Sequence, residues 1–490
     1  MKKVSVIGSG LAGLSAAIDL ASKNFKVTVH EKNDKPGGRI NYFQEAGYKF
    51  DMGPSWYWMP EVFDNFYKKH GYKTSDFYNL KRLDPSYKVV FSQDNYVDIP
   101  ADFSELLNLF ETKEPGSARK LQKFIDEAAY KYKVGMEEFV WKPSHSIFEF
   151  ASFKVLKSAF QLQLFSSISK EINNVVSNPD LKKILEFPVL FLGATPEDTP
   201  ALYSLMNYAD LKLGTWYPEG GMHKISEAFY KIAIDKGVEF RFKEAVTGFD
   251  YDRKKIISVN ALESKTKADI IIAGADYHHV DQVLLSSQYS NYSSSYWDSR
   301  KLAPSSILMF IGVDKKLNNL AHHNLFFDTD FKKHAYEIYK DPKWPSDPLF
   351  YVCMPSITDQ TVAPSGKENL FILIPVAPNL NDSSSDIYNK YFNEVVERIE
   401  VFIGEKFSNN IEYKKFFGVK DFKTLYNSFK GNAYGLANTL FQTAFLKPSL
   451  KNKNLTNLYY TGQLTTPGPG LPPSIISGQV VAAEINKKFR

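Results

Sequence analysis

The chain has 490 residues, 43% of them hydrophobic and 23% charged, a composition that is typical of folded proteins and argues against long disordered tracts. The length predicts two or three domains. Sixty Lys and Arg residues against 55 Asp and Glu residues, without a dense basic block, exclude nucleic acid as an expected partner. The single cysteine, Cys353, rules out an internal disulfide and favours a reducing, cytoplasmic location. Glycines interrupt the apolar run after Lys3, so a secretory signal is not expected, and no other segment offers about 18 uninterrupted apolar residues, so no transmembrane helix is expected.

The N-terminal segment predicts a strand, a glycine-rich turn, a helix and a second strand. Residues 4–7 form a short apolar run that leads into Gly8-Ser9-Gly10-Leu11-Ala12-Gly13, a G-x-G-x-x-G pattern. Apolar residues at helical spacing follow, and residues 26–30 indicate a strand that ends at Glu31. An ordinary flexible turn is the alternative for such a pattern alone, but the strand, the helix and the acidic residue together favour dinucleotide binding.

The glycines of this pattern have separate mechanical roles. Gly8 makes the tight turn, Gly10 lets the backbone approach a pyrophosphate, and Gly13 allows the helix to pack closely on the strand. The helix N-terminus faces the phosphates, and Glu31 can accept hydrogen bonds from both ribose hydroxyls. The segment therefore predicts a Rossmann-like domain with these cofactor-binding residues: Gly8, Ser9, Gly10, Ala12, Gly13, Glu31 and Lys32.

A second glycine motif, Lys35-Pro36-Gly37-Gly38-Arg39, follows closely. Gly37 and Gly38 bring backbone close to a ligand, and Arg39 can place a positive charge beside a pyrophosphate or flavin. A surface arginine in a turn is the alternative. The succession of G-x-G-x-x-G, terminal Glu and G-G-R resembles the large flavoprotein family that includes amine oxidases and carotenoid desaturases. The resemblance implies FAD, and the absence of a second fingerprint implies no nicotinamide cofactor.

Two internal segments resemble further strands of the same domain. Residues 237–242 predict a strand that leads to Val246, and in the family a valine here contacts adenine through its backbone. Residues 269–276 predict a short apolar strand that ends at Asp276, a further expected cofactor contact. Plain core strands are the alternative for both.

The C-terminus carries the strongest return to the cofactor domain. Residues 457–461 predict a strand, followed by Gly462-Gln463 at the cofactor. After Pro472-Pro473, helical spacing begins, with Ser474 suited to a cap. The family resemblance implies that this helix N-terminus, at Ser474 and Ile475, faces flavin N1 and the C2 carbonyl and favours the reduced state by its dipole and N–H donors. A helix that simply packs on the sheet is the alternative.

Over essentially the whole chain, the sequence resembles the bacterial phytoene desaturases. The segment Gly47 to Ser55 resembles the family's F-D-x-G-P motif near the flavin, which adds Gly53, Pro54 and Ser55 to the expected cofactor residues. Residues 216–222 resemble the W-[FY]-P-x-G-G motif at the domain junction. After Gly462 the chain lacks the histidine of the family's T-H-P-G pattern, so no mechanism that needs that histidine applies here.

The predicted fold class is α/β, a Rossmann-like FAD-binding domain of the amine-oxidase type with an inserted α+β substrate domain and a helical membrane-contact region. The expected FAD-binding domain is discontinuous, and the expected substrate domain contains a helical, membrane-associating part near 105–200. The two domains take these ranges: 1–80, 221–300 and 450–490 for FAD, and 81–220 and 301–449 for the substrate. Residues 148–165 form an amphipathic, aromatic stretch that can rest on the inner face of the cell membrane or pack against neighbouring helices.

The resemblance implies stepwise desaturation of all-trans phytoene towards lycopene, with hydride transfer to flavin N5 and a quinone or oxygen as electron acceptor. Alternatives are a diapophytoene or hydroxylated-carotenoid desaturase, an amine oxidase, a retinol-saturase-like enzyme and a non-catalytic isoprenoid-binding protein. No catalytic residue is assigned, although four side chains are chemically able to accept a proton: Asp51, Asp198, Glu219 and His223. The pairs His278-His279 and His322-His323 lack the i,i+4 spacing of a metal-binding helix, so no metal site is expected.

Overall fold

The structure is a computed structural model that describes residues 1–144, 146, 166–190, 195–439, 442–443 and 446–489, except for the side chains of residues 189 and 190. The aromatic stretch at 148–165, predicted to contact a membrane, lies outside the described residues. Among the helices that are described, none combines the length and the apolar character needed to cross a membrane.

Five parallel strands form the sheet that carries the glycine fingerprint. Their order is Leu458–Tyr460, Ile270–Ala273, Lys3–Ile7, Lys26–His30 and Glu239–Arg241. Parallel strands are covered on both faces and therefore read as apolar runs, as in the fully buried Ile270–Ala273. The predicted Rossmann-like fold is confirmed. The strands come from three distant parts of the chain, which supports the discontinuous division, while its boundaries stay a prediction.

Two helices pack tightly beside this sheet, Leu11–Ala21 and the C-terminal helix Leu471–Phe489. The first ten residues of Leu11–Ala21 are all buried. A Cβ atom on Gly478 would lie 2.3 Å from the Ala12 carbonyl oxygen and 2.7 Å from the Ser15 Cβ, so the approach of the two helices requires glycine there. The Ser15 hydroxyl also donates to the backbone oxygen of Ile475 in the C-terminal helix, at 2.8 Å.

A seven-stranded mixed sheet forms the second half of the molecule. Its order is Ile411–Phe417, Ser305–Val313, Glu368–Val376, Phe350–Cys353, His323–Phe326, Tyr87–Val90 and Tyr96–Ile99. Side chains alternate along Ser305–Val313, as the two-residue period of a strand requires. Met309 packs in one core with the helix Asp386–Ile403, whereas Leu308 and Phe310 belong to the core on the opposite face. That opposite face looks towards the fingerprint.

The remaining elements surround these two sheets. The other helices of eight or more residues in the described part are Pro60–Lys69, Phe103–Lys113, Ser117–Val134, Ile168–Val175, Pro179–Leu190, Lys224–Asp235, Phe331–Tyr339 and Val419–Tyr426. Shorter helices are Leu205–Tyr208, Tyr277–His279 and Ser294–Asp298. The smaller sheets pair Tyr42–Glu45 with Tyr48–Asp51, Leu80–Arg82 with Trp216–Pro218, and Val246–Asp252, Lys255–Ala261 and Lys265–Lys267 in order.

Two details of the sequence prediction need correction. The C-terminal helix begins at Leu471, so Ser474 lies inside its first turn and is not its cap. Prolines are compatible with this earlier start because the first turn needs no N–H donors from them. The strand predicted to lead to Val246 ends at Arg241, and Val246 begins a strand of a separate antiparallel sheet.

We expect Gly478→Ala to lower the free energy of unfolding by about 3 kcal/mol, because the added methyl group collides with backbone that belongs to the neighbouring helix. Gly135→Ala is the matched control, since a Cβ there would only contact Leu205 Cδ2 at 3.6 Å. Urea unfolding at equal FAD concentration measures both. Equal stability of the two variants would contradict the close approach.

Candidate functional site

A continuous cavity of about 570 Å³ connects the fingerprint with the seven-stranded sheet. Cavities of this size bind cofactors and small molecules. The cavity is lined by most of the residues that the sequence assigned to the cofactor: Gly8, Gly10, Ala12, Glu31, Lys32, Gly37, Gly38, Arg39, Gly53, Pro54, Ser55, Val246, Asp276, Gly462, Gln463 and Ser474. Ser9, Gly13 and Ile475 do not line it. Positions more than 400 residues apart in sequence therefore face one space.

Glu31 is held in place by the turn that precedes it in sequence. Its Oε2 accepts hydrogen bonds from the Ser9 N–H at 2.9 Å and the Ser9 hydroxyl at 2.7 Å, and its Oε1 accepts from the Asn33 N–H at 2.9 Å. A carboxylate has about four acceptor sites, and three are used here, so Oε1 keeps capacity for about one ligand hydroxyl. Ser9 thus acts by orienting Glu31, although it does not line the cavity itself.

The second glycine motif packs directly on the first. The Gly37 N–H donates to the Ser9 carbonyl oxygen at 3.0 Å, and a Cβ on Gly38 would lie 3.2 Å from the Gly10 Cα. A Cβ on Gly10 itself would meet nothing within 4 Å, because the backbone there faces the open cavity. The two motifs together form a backbone cradle of the kind that accepts a diphosphate.

Arg39 supplies a buried positive charge with spare donor capacity. Its Nη2 donates to the Ser428 hydroxyl at 3.0 Å, and its guanidinium carbon lies 5.2 Å from the centre of the Tyr426 ring. Its Nε has no hydrogen-bond partner among the residues that the structure describes. Burial raises the pKa of Asp276 to about 6, an effect that Arg39 partly offsets. A guanidinium with unused donors fits the diphosphate of FAD.

The helix Val419–Tyr426 and the residue after it also contact the cofactor end. The Lys32 ammonium donates to the Thr424 carbonyl oxygen at 2.7 Å and to Asn427 Oδ1 at 3.0 Å. This helix belongs to a range that the sequence assigned to the substrate domain. No motif in the sequence marks it, because its contribution depends on long-range packing.

The start of the C-terminal helix lines the cavity, but its backbone donors are largely used or missing. Pro472 and Pro473 carry no N–H, and the Ser474 N–H donates to the Gly470 carbonyl oxygen at 3.0 Å. The Ile475 side chain is fully buried in the protein core. The Ser474 N–H is therefore engaged within the helix, and the assignment of Ser474 and Ile475 to the flavin, through the helix dipole and N–H donors, stays a prediction.

The opposite end of the cavity is formed by apolar and aromatic side chains. It is lined by Leu308, Leu325, Phe327, Phe331, Ala335, Ile338, Tyr339, Leu349 and Leu373. The helix Phe331–Tyr339 contributes several of these residues, and no motif in the sequence marks it as part of the site. Its amphipathic pattern is the same for any helix packed on a sheet, so the pattern carries no information about a cavity.

The four side chains considered as proton acceptors lie elsewhere. Asp51 accepts hydrogen bonds from the Met222 and His223 N–H groups at 2.7 and 3.0 Å, which joins the two family motifs. Asp198 pairs with Lys340 at 3.4 Å, and Glu219 accepts from Asn79 at 3.1 Å. None of the four is among the described residues that line the cavity. They therefore have structural roles in this fold.

Two unpaired polar groups stand beside the cavity wall. Within the described residues, Lys447 Nζ and Asn438 Oδ1 are buried without a hydrogen-bond partner, and both lie 3.5 Å from the position of a Cβ on Gly468. Burial lowers the pKa of Lys447 to about 7. Asn438 lines the cavity. No motif in the sequence marks this pair, because an isolated lysine and an isolated asparagine form no recognisable pattern.

Comparison with known proteins agrees with this geometry. A family model for flavin containing amine oxidoreductases matches residues 11–486. The chain is 36% identical to a carotenoid 3,4-desaturase from Haloarcula japonica, over 98% of this chain and 97% of that protein. It is 29% identical to a 4,4'-diapophytoene desaturase (4,4'-diaponeurosporene-forming) from Staphylococcus haemolyticus, again over 98% of this chain and 97% of that protein.

Two solved structures at low identity share the fold. An oxidoreductase from Methanosarcina mazei superposes with a TM-score of 0.65 at 16% identity, over 98% of this chain and all of that one. Cyclohexylamine oxidase from Brevibacterium oxydans has a TM-score of 0.60 at 14% identity, over 100% of this chain and 99% of that one. At these identities the likeness concerns the fold alone.

We expect Glu31→Gln to weaken FAD binding roughly tenfold, because a neutral amide replaces a carboxylate that accepts charge-assisted hydrogen bonds. Titration of apoprotein with FAD, followed by flavin fluorescence, measures the dissociation constant. Glu239→Gln is the control, since Glu239 lies on the exposed side of the sheet's edge strand. An unchanged affinity in Glu31→Gln would remove Glu31 from the cofactor site.

We expect Lys447→Met to stabilise the apoprotein at pH 7 by about 3 kcal/mol. The folded-state pKa of Lys447, about 7, lies below its unfolded value, so the unfolded chain binds the extra proton between these values. The wild-type stability contribution therefore rises with pH, and the advantage of the variant shrinks towards pH 10. Urea unfolding at both pH values tests this. A pH-independent difference would show that the amine is paired.

Proposed function

Since the chain belongs to the family of flavin-containing amine oxidoreductases, and within that family to the carotenoid desaturases, we propose that it introduces a double bond at the 3,4 position of a carotenoid. It is an FAD-dependent oxidoreductase that acts on CH–CH bonds, and its substrate is a hydrophobic polyene. The 3,4 position is supported by the relative from Haloarcula japonica, whose identity of 36% exceeds the 29% of the diapophytoene desaturase.

The observation that carries the proposal is the two-part lining of one cavity. Polar backbone, Glu31 and Arg39 line one end, while leucine, phenylalanine and isoleucine side chains line the other. An uncharged polyene offers no group for an ion pair, so its binding depends on burial and shape. Away from the cofactor residues the lining is mostly apolar, with a few polar side chains such as His334, Tyr339 and Asn438, and such a lining suits a hydrocarbon substrate better than a charged amine.

The residues of the chain bind and orient the cofactor and the substrate, and they exclude water from the site. Glu31 and Arg39 would hold the ribose and the diphosphate of FAD, and the backbone cradle at Gly10 and Gly38 would accept the diphosphate. When bound, FAD supplies a hydride acceptor for the carbon that is oxidised, while the second hydrogen leaves as a proton. The apolar end keeps the reacting carbons away from water.

Membrane association and the electron acceptor belong to the same proposal. A polyene of this class partitions into lipid, so we place the enzyme at the inner membrane surface, where the amphipathic stretch at 148–165 supplies lysines and aromatic side chains. Because each desaturation removes two electrons from the substrate, a quinone or oxygen would have to take them up between turnovers.

Phytoene is the second candidate substrate, with stepwise conversion towards lycopene. Its support is the resemblance of the segments around Asp51, Tyr217 and Gly462 to phytoene desaturases, together with the similarity to the staphylococcal diapophytoene desaturase. Both candidates use the same cofactor chemistry and differ in which bond reaches the flavin.

Expression in bacteria that accumulate either phytoene or lycopene separates the candidates. A 3,4-desaturase leaves phytoene unchanged and shifts the absorption of the lycopene pool to longer wavelength, because the conjugated system lengthens. A phytoene desaturase colours the phytoene strain. Unchanged pigments in both strains, with FAD-loaded protein present, would contradict carotenoid desaturation with these substrates.

A cavity variant controls for indirect effects in this experiment. Ala335→Phe adds a ring at the apolar end, so we expect it to abolish the pigment change while FAD remains bound at the other end. Tyr336→Ala changes the neighbouring residue, which is 55% exposed, and should behave like the wild type. Loss of pigment change in both variants would point to a folding defect.

A further inference from the structure

Three metal-ligating side chains meet on the seven-stranded sheet, outside the main cavity. His323 begins one strand and Cys353 ends its antiparallel neighbour, and the two residues are directly opposite in register. Opposite residues project to the same face of a sheet. His322 lies in the bend just before the strand. One imidazole nitrogen of each histidine and the Cys353 Sγ lie within 4.8 Å of one another.

The hydrogen bonds of both imidazoles leave one nitrogen available. His322 Nδ1 is 2.8 Å from the Thr358 hydroxyl, and His323 Nδ1 is 2.6 Å from the Tyr351 hydroxyl. The Tyr351 hydroxyl donates to Ser55 Oγ at 3.0 Å, so it accepts from the Nδ1–H of His323. In the described part of the chain, Nε2 of each ring has no hydrogen-bond partner, although both rings are buried.

A buried nitrogen without a partner is unfavourable unless a ligand binds it. Metal-ligating histidines characteristically donate one ring N–H to a neighbouring oxygen and bind the ion through the other nitrogen. With Nδ1 of each ring bonded to a hydroxyl and Nε2 without a partner among the described residues, His322 and His323 have the orientation of ligands.

A small cavity of about 20 Å³ adjoins the cluster, and its lining includes His322, Cys353 and Asp51. A space of this size holds one water molecule. The Asp51 carboxylate places negative charge beside the space, which reduces the cost of burying a cation.

We propose that His322, His323 and Cys353 bind one zinc-class divalent ion, with a water molecule in the adjoining cavity as the fourth ligand. Imidazole and thiolate are the donors that zinc prefers, whereas magnesium and calcium prefer oxygen. Zinc bonds are about 2.0 to 2.3 Å long, so the widest separation must close by about 1 Å on binding. The ion replaces the proton of the Cys353 thiol, which is released to solvent.

The ion has a positioning role in this fold. The His323 ring stacks on Trp56, with ring centroids 4.2 Å apart, and Tyr351 is hydrogen-bonded to Ser55. Ser55 and Trp56 both line the main cavity. Zinc therefore ties the seven-stranded sheet to the segment that follows the F-D-x-G-P-like motif, whichever carotenoid is the substrate.

Metal analysis of the full chain purified with FAD tests the proposal. We expect zinc in stoichiometric amount with the flavin, and loss of zinc in Cys353→Ala. His278→Asn is the matched control, because His278 belongs to the other adjacent histidine pair and stacks on Phe429 away from the cluster. It should retain zinc. Zinc retained in Cys353→Ala would overturn the assignment.

Cobalt substitution gives a readout that does not depend on any variant folding. Cys353 is the only cysteine, so a thiolate-to-cobalt charge-transfer band in wild-type protein reports this site alone. We expect the band when Co²⁺ is added to chelator-treated, FAD-loaded protein, and its loss when Zn²⁺ is added. FAD-loaded protein that contains neither zinc nor another transition metal and develops no thiolate band with Co²⁺ would refute the site.

Discussion

The cofactor half of this fold depends on the space left by glycine around the first helix. A Cβ on Gly13 would lie 2.3 Å from the Gly8 carbonyl oxygen, and one on Gly478 would lie equally close to the Ala12 carbonyl oxygen. The helix Leu11–Ala21 is thus held against the sheet on one side and the C-terminal helix on the other with backbone in contact with backbone. This contact places residues from both ends of the chain around one cavity, which Glu31 and Arg39 also line.

The sequence predicts well those parts of the site that local spacing determines. The fingerprint, Glu31 and the G-G-R motif are separated by short connections, so their order along the chain fixes their neighbourhood. The predicted helix start at Ser474 shows the limit of this reasoning. Proline is compatible with the first turn of a helix, and the helix in fact begins three residues earlier, at Leu471. When several neighbouring residues are all compatible with a helix start, the sequence does not show which of them begins the helix.

Long-range packing explains what the sequence could not reveal. Thr424 and Asn427 reach Lys32 only because two distant segments fold together, and the helix Phe331–Tyr339 has the pattern of any surface helix. His323 lies opposite Cys353 because of the register between two strands, and the two residues are 30 positions apart in sequence. An i,i+4 spacing describes only ligands that share one helix, so it does not indicate this pair. Contacts of this kind depend on how distant segments pack in the fold, so they cannot be predicted from local patterns in a single sequence.

The apolar end of the cavity also bears on how relatives with one scaffold act on different carotenoids. In a hydrophobic site, one methylene changes binding by only about 1 to 3 kcal/mol, so surface burial alone discriminates weakly among long polyenes. For the proposed reaction, discrimination therefore depends on how far the polyene can enter the cavity before a side chain stops it. That depth decides which carbon–carbon bond faces the flavin. In this protein the helix Phe331–Tyr339 closes part of that end, with Ala335 and Ile338 as lining residues. For the proposed reaction, small changes in side-chain volume along this helix are consequently a more effective means of moving the reacting bond than changes near Glu31 or Arg39, which we assign to FAD whichever carotenoid is the substrate.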